Sequence, residues 1–165
     1  MKMFRHLAMA VVLALVASTA AAQDAHKGWT AWEAGDFQSA LQEWLPIANQ
    51  KDVNVQILLE LGHIYKDGKG VPKDYAESVK WYRLASVRGE AYAQYSLGFM
   101  YMQGWGVLQD NVQAHMWFNI AAANGDLTSG NWRDEISARM TLETIAKAQA
   151  MASECMSSGY ENCGD

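Results

Sequence analysis

Apolar side chains recur at helical spacing along most of the chain, and they fall into two alternating kinds of helix. Leu58, Leu61 and Tyr65 stand three and four residues apart, as do Leu97 and Tyr101. This predicts first-type helices from about Val55 to Asp67 and from about Ala91 to Gln103. Each is followed by a second-type helix, one lined by Trp81, Leu84 and Ala85 and the other by Trp117, Ile120 and Ala121. Both second-type helices open on a capping signal: Asp74 with Glu77 three residues on, and Asp110 with Gln113. That is capping-box spacing, with Asp as the residue whose side chain accepts from the free backbone N–H groups. Gly68 and Gly104 stand where the first-type helices must end, and glycine supplies the left-handed backbone such ends require. Gly89 and Gly125 close the second type.

The two pairs are copies of one unit. A shift of 36 residues lays Leu61, Gly62 and Tyr65 on Leu97, Gly98 and Tyr101. It also lays Gly68, Gly70 and Val71 on Gly104, Gly106 and Val107, and Asp74 on Asp110. Trp81, Ala85 and Gly89 fall on Trp117, Ala121 and Gly125, and Tyr82 falls on Phe118. A lone helix pair cannot bury its apolar face, so repeated pairs stack into a solenoid with the indoles in the core. Gly62 and Gly98 lie inside helices, where glycine costs ~1 kcal/mol against alanine. Their recurrence predicts a close approach by a neighbouring helix.

The flanks are less regular. Gly35, Asp36 and Phe37, then Ala40, Leu41 and Trp44, outline a worn helix pair over 23–54, with Pro46 expected to bend or shorten its second helix. Repeat 1 then covers 55–90 and repeat 2 covers 91–126. Beyond Gly125 a third first-type helix, weakened by Gly130, is expected through Trp132, Ile136 and Met140. Thr141 is placed to cap a last helix carrying Leu142, Ile145, Ala148 and Ala152, so that 127–165 closes the array. The expected arrangement is one domain over 23–165.

The first residues read as an export signal. Lys2 and Arg5 precede an uncharged run from Leu7 to Val16, and small residues lead to Ala22, the expected cleavage point. The apolar run is shorter than the ~20 residues a membrane-spanning helix needs. A periplasmic or secreted protein without stable membrane insertion is therefore expected. Removing Lys2 and Arg5 leaves 11 basic against 18 acidic residues, so net charge moves from −5 to −7. Nucleic acid is a poor partner for such a chain, because phosphate neutralisation supplies most of that affinity. In an oxidising compartment the two cysteines, Cys155 and Cys163, read as a disulfide that clips the tail.

Leu97-Gly98-Phe99-Met100-Tyr101, Gly104-Trp105-Gly106-Val107, Asp110, Trp117-Phe118 and Ala121-Ala122 together resemble the Sel1-like repeat, a 36-residue relative of the tetratricopeptide repeat. The likeness runs from Val55 to Leu127 and more loosely through the flanks. The resemblance implies an all-α, right-handed superhelical solenoid of antiparallel helix pairs with irregular capping helices at both ends. It also implies adaptor or scaffold work, often in the bacterial envelope.

Catalytic motifs are missing. The chain contains no His-Glu-x-x-His and no Gly-x-Ser-x-Gly, and Gly68-Lys69-Gly70 lacks the spacing of a phosphate-binding loop. No catalytic residue, cofactor or metal is expected. His63 and His115 have no evident metal-ligating companions and read as exposed or core-edge side chains. Cysteine-rich members of the resembled family suggest beta-lactam binding or weak hydrolysis as an alternative. Here the nearest motif, Ser78-Val79-Lys80, is one residue short of Ser-x-x-Lys.

The expected activity is binding a peptide or helix of an envelope protein on the concave face built by first-type helices. Its candidate contacts are the positions that the repeat leaves free: Glu60, His63 and Lys66 in repeat 1, and Tyr95, Phe99 and Met102 in repeat 2. Tyr95 and Phe99 can equally pack against an adjacent helix. A third reading is self-association, with Trp29 and Trp32 pairing two chains.

Overall fold

The computed structural model describes residues 23–163, and every regular element among them is a helix. The expected export signal and its cleavage point lie outside the described residues. The chain divides between Val53 and Asn54 into two compact units.

In the first unit, α1 covers 23–33 and α2 covers Phe37–Trp44. Asp36 caps α2 by accepting from the Ser39 backbone N–H at 3.1 Å and from its hydroxyl at 2.6 Å. These bonds favour the ionised form and hold its carboxyl below the usual range. The helix stops at Trp44, with Leu45 as C-cap, because Pro46 has no backbone N–H to carry the hydrogen-bond ladder further. Trp44 is fully buried, and its indole N–H donates to the Ala25 carbonyl at 3.4 Å. Gly28 faces that indole so closely that a Cβ would overlap it. Trp29 and Trp32 also pack on Trp44, with ring centroids 4.8 and 5.8 Å away. The two tryptophans considered for pairing chains are thus half-buried inside their own unit.

The second unit holds α3 (Val55–Asp67), α4 (Tyr75–Ser86), α5 (Ala91–Gln103), α6 (Asn111–Ala123), α7 (Ser129–Ser137) and α8 (Leu142–Ser157). The expected caps are in use: Asp74 accepts from Glu77 N–H, Asp110 from Val112 and Gln113 N–H, and Thr141 forms a reciprocal box with Thr144. The boxes at Asp74 and Asp110 are not closed, because those two backbone N–H groups donate to the Tyr65 and Tyr101 carbonyls instead. Gly68 and Gly104 close α3 and α5 at φ +72° and +69°. α7 is shorter than expected: it ends at Ser137, leaving Met140 outside it, and it buries only Ser129 and Ile136. Such a short helix has few turns over which to repay its nucleation cost.

The antiparallel pairs α3–α4 and α5–α6 stack through α4 and α5, while α6 also packs against α7 and α8. This is an all-α solenoid. Trp81 and Trp117 are 2% and 4% exposed, so the recurring indoles do form the core. Of the other repeat positions, Leu61, Leu97, Ala85 and Ala121 are fully buried, while Tyr65 is only half-buried. The glycine expectation also holds. The Tyr82 ring lies against Gly62 where a Cβ would go, and a Cβ on Gly98 would stand 2.7 Å from Phe118. Ser78, beside Tyr82 on the same pair, donates its hydroxyl to the Gly62 carbonyl at 2.8 Å.

Cys155 and Cys163 are bonded, eight residues apart, and close a loop that carries Tyr160. Tyr160 adopts left-handed backbone at φ +71°, which is costly for a non-glycine residue. Its hydroxyl accepts from the Asn124 amide at 2.7 Å. That amide also donates to Gln94 at 2.8 Å, and Gln94 donates to the Ser86 carbonyl at 3.0 Å. The tail is thereby fastened to the ends of α4 and α6.

Two outcomes follow for stability. Overpacking costs ~1–3 kcal/mol, which exceeds the ~1 kcal/mol helix-propensity gain of alanine over glycine. Gly62→Ala and Gly98→Ala should therefore lower the denaturation midpoint. Gly130→Ala, whose Cβ would meet nothing within 4 Å, should raise it. Cys163→Ser should cost at most ~2–3 kcal/mol and should speed amide exchange at Tyr160 and Asn124 well before it affects α3.

Candidate interaction surface

The first-type helices α3, α5 and α7 carry a row of rings. His63 on α3 lies 5.5 Å from Tyr92 on α5, and Tyr92 lies 5.5 Å from Tyr95. Tyr95 then meets Phe99 at 6.1 Å, and Phe99 meets Trp132 on α7 edge-on at 5.2 Å. Trp105, in the loop after α5, lies 6.1 Å from Phe99 and stacks on Tyr75 at 5.1 Å with planes 10° apart. Tyr92 and Trp105 are 43% and 37% exposed, unusually open for rings of their size.

A cavity of about 160 Å³ opens among these side chains, lined by Lys66, Tyr92, Tyr95, Ser96, Phe99, Met100 and Trp105. Lys66, Tyr95 and Phe99, singled out from the sequence, meet there. Glu60, His63 and Met102 do not line it, although His63 reaches its edge through Tyr92. Tyr95 and Phe99 turn out to do both things considered for them. Each packs one side on a neighbour, Phe118 at 6.0 Å for Tyr95 and Trp132 for Phe99, and each gives another side to the cavity. Burial around Tyr95 pushes its hydroxyl pKa up.

Tyr92 and Trp105 were missed as contacts. A signal was present: the 36-residue shift pairs them with Gln56 and Lys69, so two polar positions of repeat 1 become aromatic in repeat 2.

His63 is half-buried, as expected of a core-edge side chain. It nevertheless has a carboxylate partner, since Nδ1 lies 3.0 Å from Glu60, which also accepts from Gln56 at 2.9 Å. Burial works against the Glu60 charge, but the bonds from His63 and Gln56 outweigh it and hold the carboxyl below its usual range. The sequence reading missed this pair because an i,i+3 contact depends on rotamers as well as spacing. His115 is neither exposed nor at the core edge. It is 1% exposed, and its Nδ1 has no hydrogen-bond partner among the described residues. Ser78, weighed as a nucleophile, is fully buried with its hydroxyl engaged by the Gly62 carbonyl. Among the described residues no three His, Cys, Asp or Glu side chains gather to hold a metal. None of the described helices is long and apolar enough to cross a membrane.

The Sel1 repeat family matches residues 58–89 and 91–126, close to the two repeats of the sequence register. The chain is a Sel1-like repeat protein. Several solved structures resemble it, two of which illustrate the likeness. One is a protective antigen present in uropathogenic Escherichia coli strains and displaying an SLR fold, with TM-score 0.75 and 25% identity over 85% of this chain. The other, from Oxalobacter formigenes, is a Sel1 repeat protein with TM-score 0.63 and 22% identity over 86% of this chain. This Sel1-like repeat protein spans 31% and 63% of the lengths of those two chains. No curated protein matches its sequence. Sel1 repeats generally mediate protein–protein interaction and are typically non-catalytic scaffolds.

The buried histidine makes stability depend on pH. Burial lowers the His115 pKa and nearby Arg133 lowers it further, with Asp134 opposing. Below about pH 6.5 the unfolded imidazole takes up a proton that the folded one resists. Stability should thus be full above that pH, decline as pH falls toward the folded pKa, and level off below it. Urea melts between about pH 7.5 and pH 5.5 should show this slope in the native protein. In His115→Gln it should be flatter.

Proposed function

We propose that this protein is an exported interaction module whose ring-bearing face, built by α3, α5 and α7, holds a segment of another envelope protein. The observation that carries this reading is the open pair Tyr92 and Trp105 at the mouth of the cavity. Exposed aromatics are costly to leave in water, and in interfaces they supply large contact area with few rotatable bonds. The row extends across successive first-type helices, so it offers length as well as depth, which suits an extended segment or a helix. Export is supported by the basic, apolar and small-residue order of the first 22 residues.

A photo-crosslinking amino acid at Tyr92 should trap a discrete partner in intact cells. The same group at Leu142, 87% exposed on α8, should not. Equal trapping from both sites, or none from Tyr92, would sink the proposal. Tyr92→Ala should weaken capture of that partner at least tenfold, about 1.4 kcal/mol, with little change in the melt because the ring is open. Phe99 is a poorer probe, since its truncation also removes packing on Trp132.

A further inference from the structure

The 36-residue register continues one step past repeat 2, and there the scaffold positions lose their chemistry. Leu61 and Leu97 fall on Arg133, Gly62 and Gly98 on Asp134, and Tyr65 and Tyr101 on Ser137. α7 is a third first-type helix by its place in the register but not by its residues.

The positions concerned are those that receive a second-type helix. In α5 the strip Gln94, Leu97, Gly98 and Tyr101 is wholly buried. Gly98 lies under Phe118 of α6, and Gln94 accepts from the C-cap Asn124. The matching strip of α7 is Gly130, Arg133, Asp134 and Ser137, and none of it is buried. The Asp134 side chain is 69% exposed, and a Cβ on Gly130 would meet nothing within 4 Å.

α8 follows α7 along the chain yet packs against α6. Met116 and Ile120 of α6 are fully buried, whereas the matching Lys80 and Leu84 of α4 are exposed and half-buried. That difference prepares the seat for α8. The buried residues of α8, Ala148, Ala152 and Cys155, are small and uncharged, which suits close packing on an apolar helix face.

Two barriers keep a helix off α7. Asp134 puts a side chain where the other pairs have glycine, so no ring can lie on the backbone there as Tyr82 and Phe118 do. Arg133 donates to Asp134 at 2.8 Å and to Asn119 of α6 at 3.4 Å. A covering helix would strip water from both charges, a cost that pairing often fails to repay.

We propose that Arg133, Asp134 and Ser137 end the array, sending α8 to α6 and closing the open side of α7 to a second copy of this chain. Without them the end is adhesive, because an uncovered apolar strip on a first-type helix accepts a second-type helix from any source. The inference is independent of what the ring-bearing face binds.

The test places a photo-crosslinking amino acid at Gly130, inside the strip, in the purified protein at micromolar concentration. With Arg133, Asp134 and Ser137 in place, mass spectrometry should find no crosslink to a second copy or to α8. In a second protein Arg133→Leu, Asp134→Gly and Ser137→Tyr together restore the scaffold residues. That variant should give at least tenfold more product, joined either to a second copy or to its own α8. Sedimentation separates the two routes, and both support the proposal. A crosslink to either target in the first protein overturns it, since the side would already be occupied. So does a variant that keeps its helix content by circular dichroism yet yields no more product than the first protein. If the triple variant fails to fold, Arg133→Leu with Asp134→Gly is read against the same outcomes.

Discussion

Two rings lying directly on two glycines set the geometry of the repeats. Tyr82 covers Gly62 and Phe118 covers Gly98, so each helix pair closes to a distance that any side chain at the glycine would forbid. Glycine weakens α3 and α5 as isolated helices, but the contact it permits is made in both repeats. Ser78 adds a hydrogen bond at the same spot in the first pair. The consequence reaches the surface. His63 meets Tyr82 at 5.7 Å and Tyr95 meets Phe118 at 6.0 Å, so the rings that seal the core also support the exposed row.

That support explains how a face rich in aromatics stays ordered without being swallowed by the core. Each exposed ring has a packed side and an open side. The open sides gather where the first-type helices run alongside one another, at the cavity that Met100 and Ser96 also line. The scaffold repeats while the free positions do not, and this lets one backbone carry a polar half and an aromatic half. Fold and recognition are therefore written in different residues of the same helices.

α6 packs against α5, α7 and α8. It buries His115, and its C-cap Asn124 receives the disulfide-closed tail through Tyr160. The tail thereby fastens the last helix pair to the end of the first pair at Ser86. A short array has few neighbours to lean on, and a covalent clip limits fraying at its open end.

The helices, caps and repeat register were legible in the sequence because each rests on local chemistry that spacing reveals. Asp74 and Asp110 cap because free N–H groups lie within reach of a short carboxylate, and Gly68 and Gly104 end helices because the backbone there turns left-handed. The pairing of Cys155 with Cys163 was legible for the same reason of proximity. What packs against what was decided only in three dimensions. Sequence spacing could nominate Lys66, Tyr95 and Phe99, yet it could not bring them to one cavity or add Tyr92 and Trp105 from another helix turn and a loop. Nor could it show that Glu60 reaches His63, or that His115 faces inward. Those outcomes depend on rotamers and on which helix becomes the neighbour, and both are settled by close packing between segments far apart along the chain.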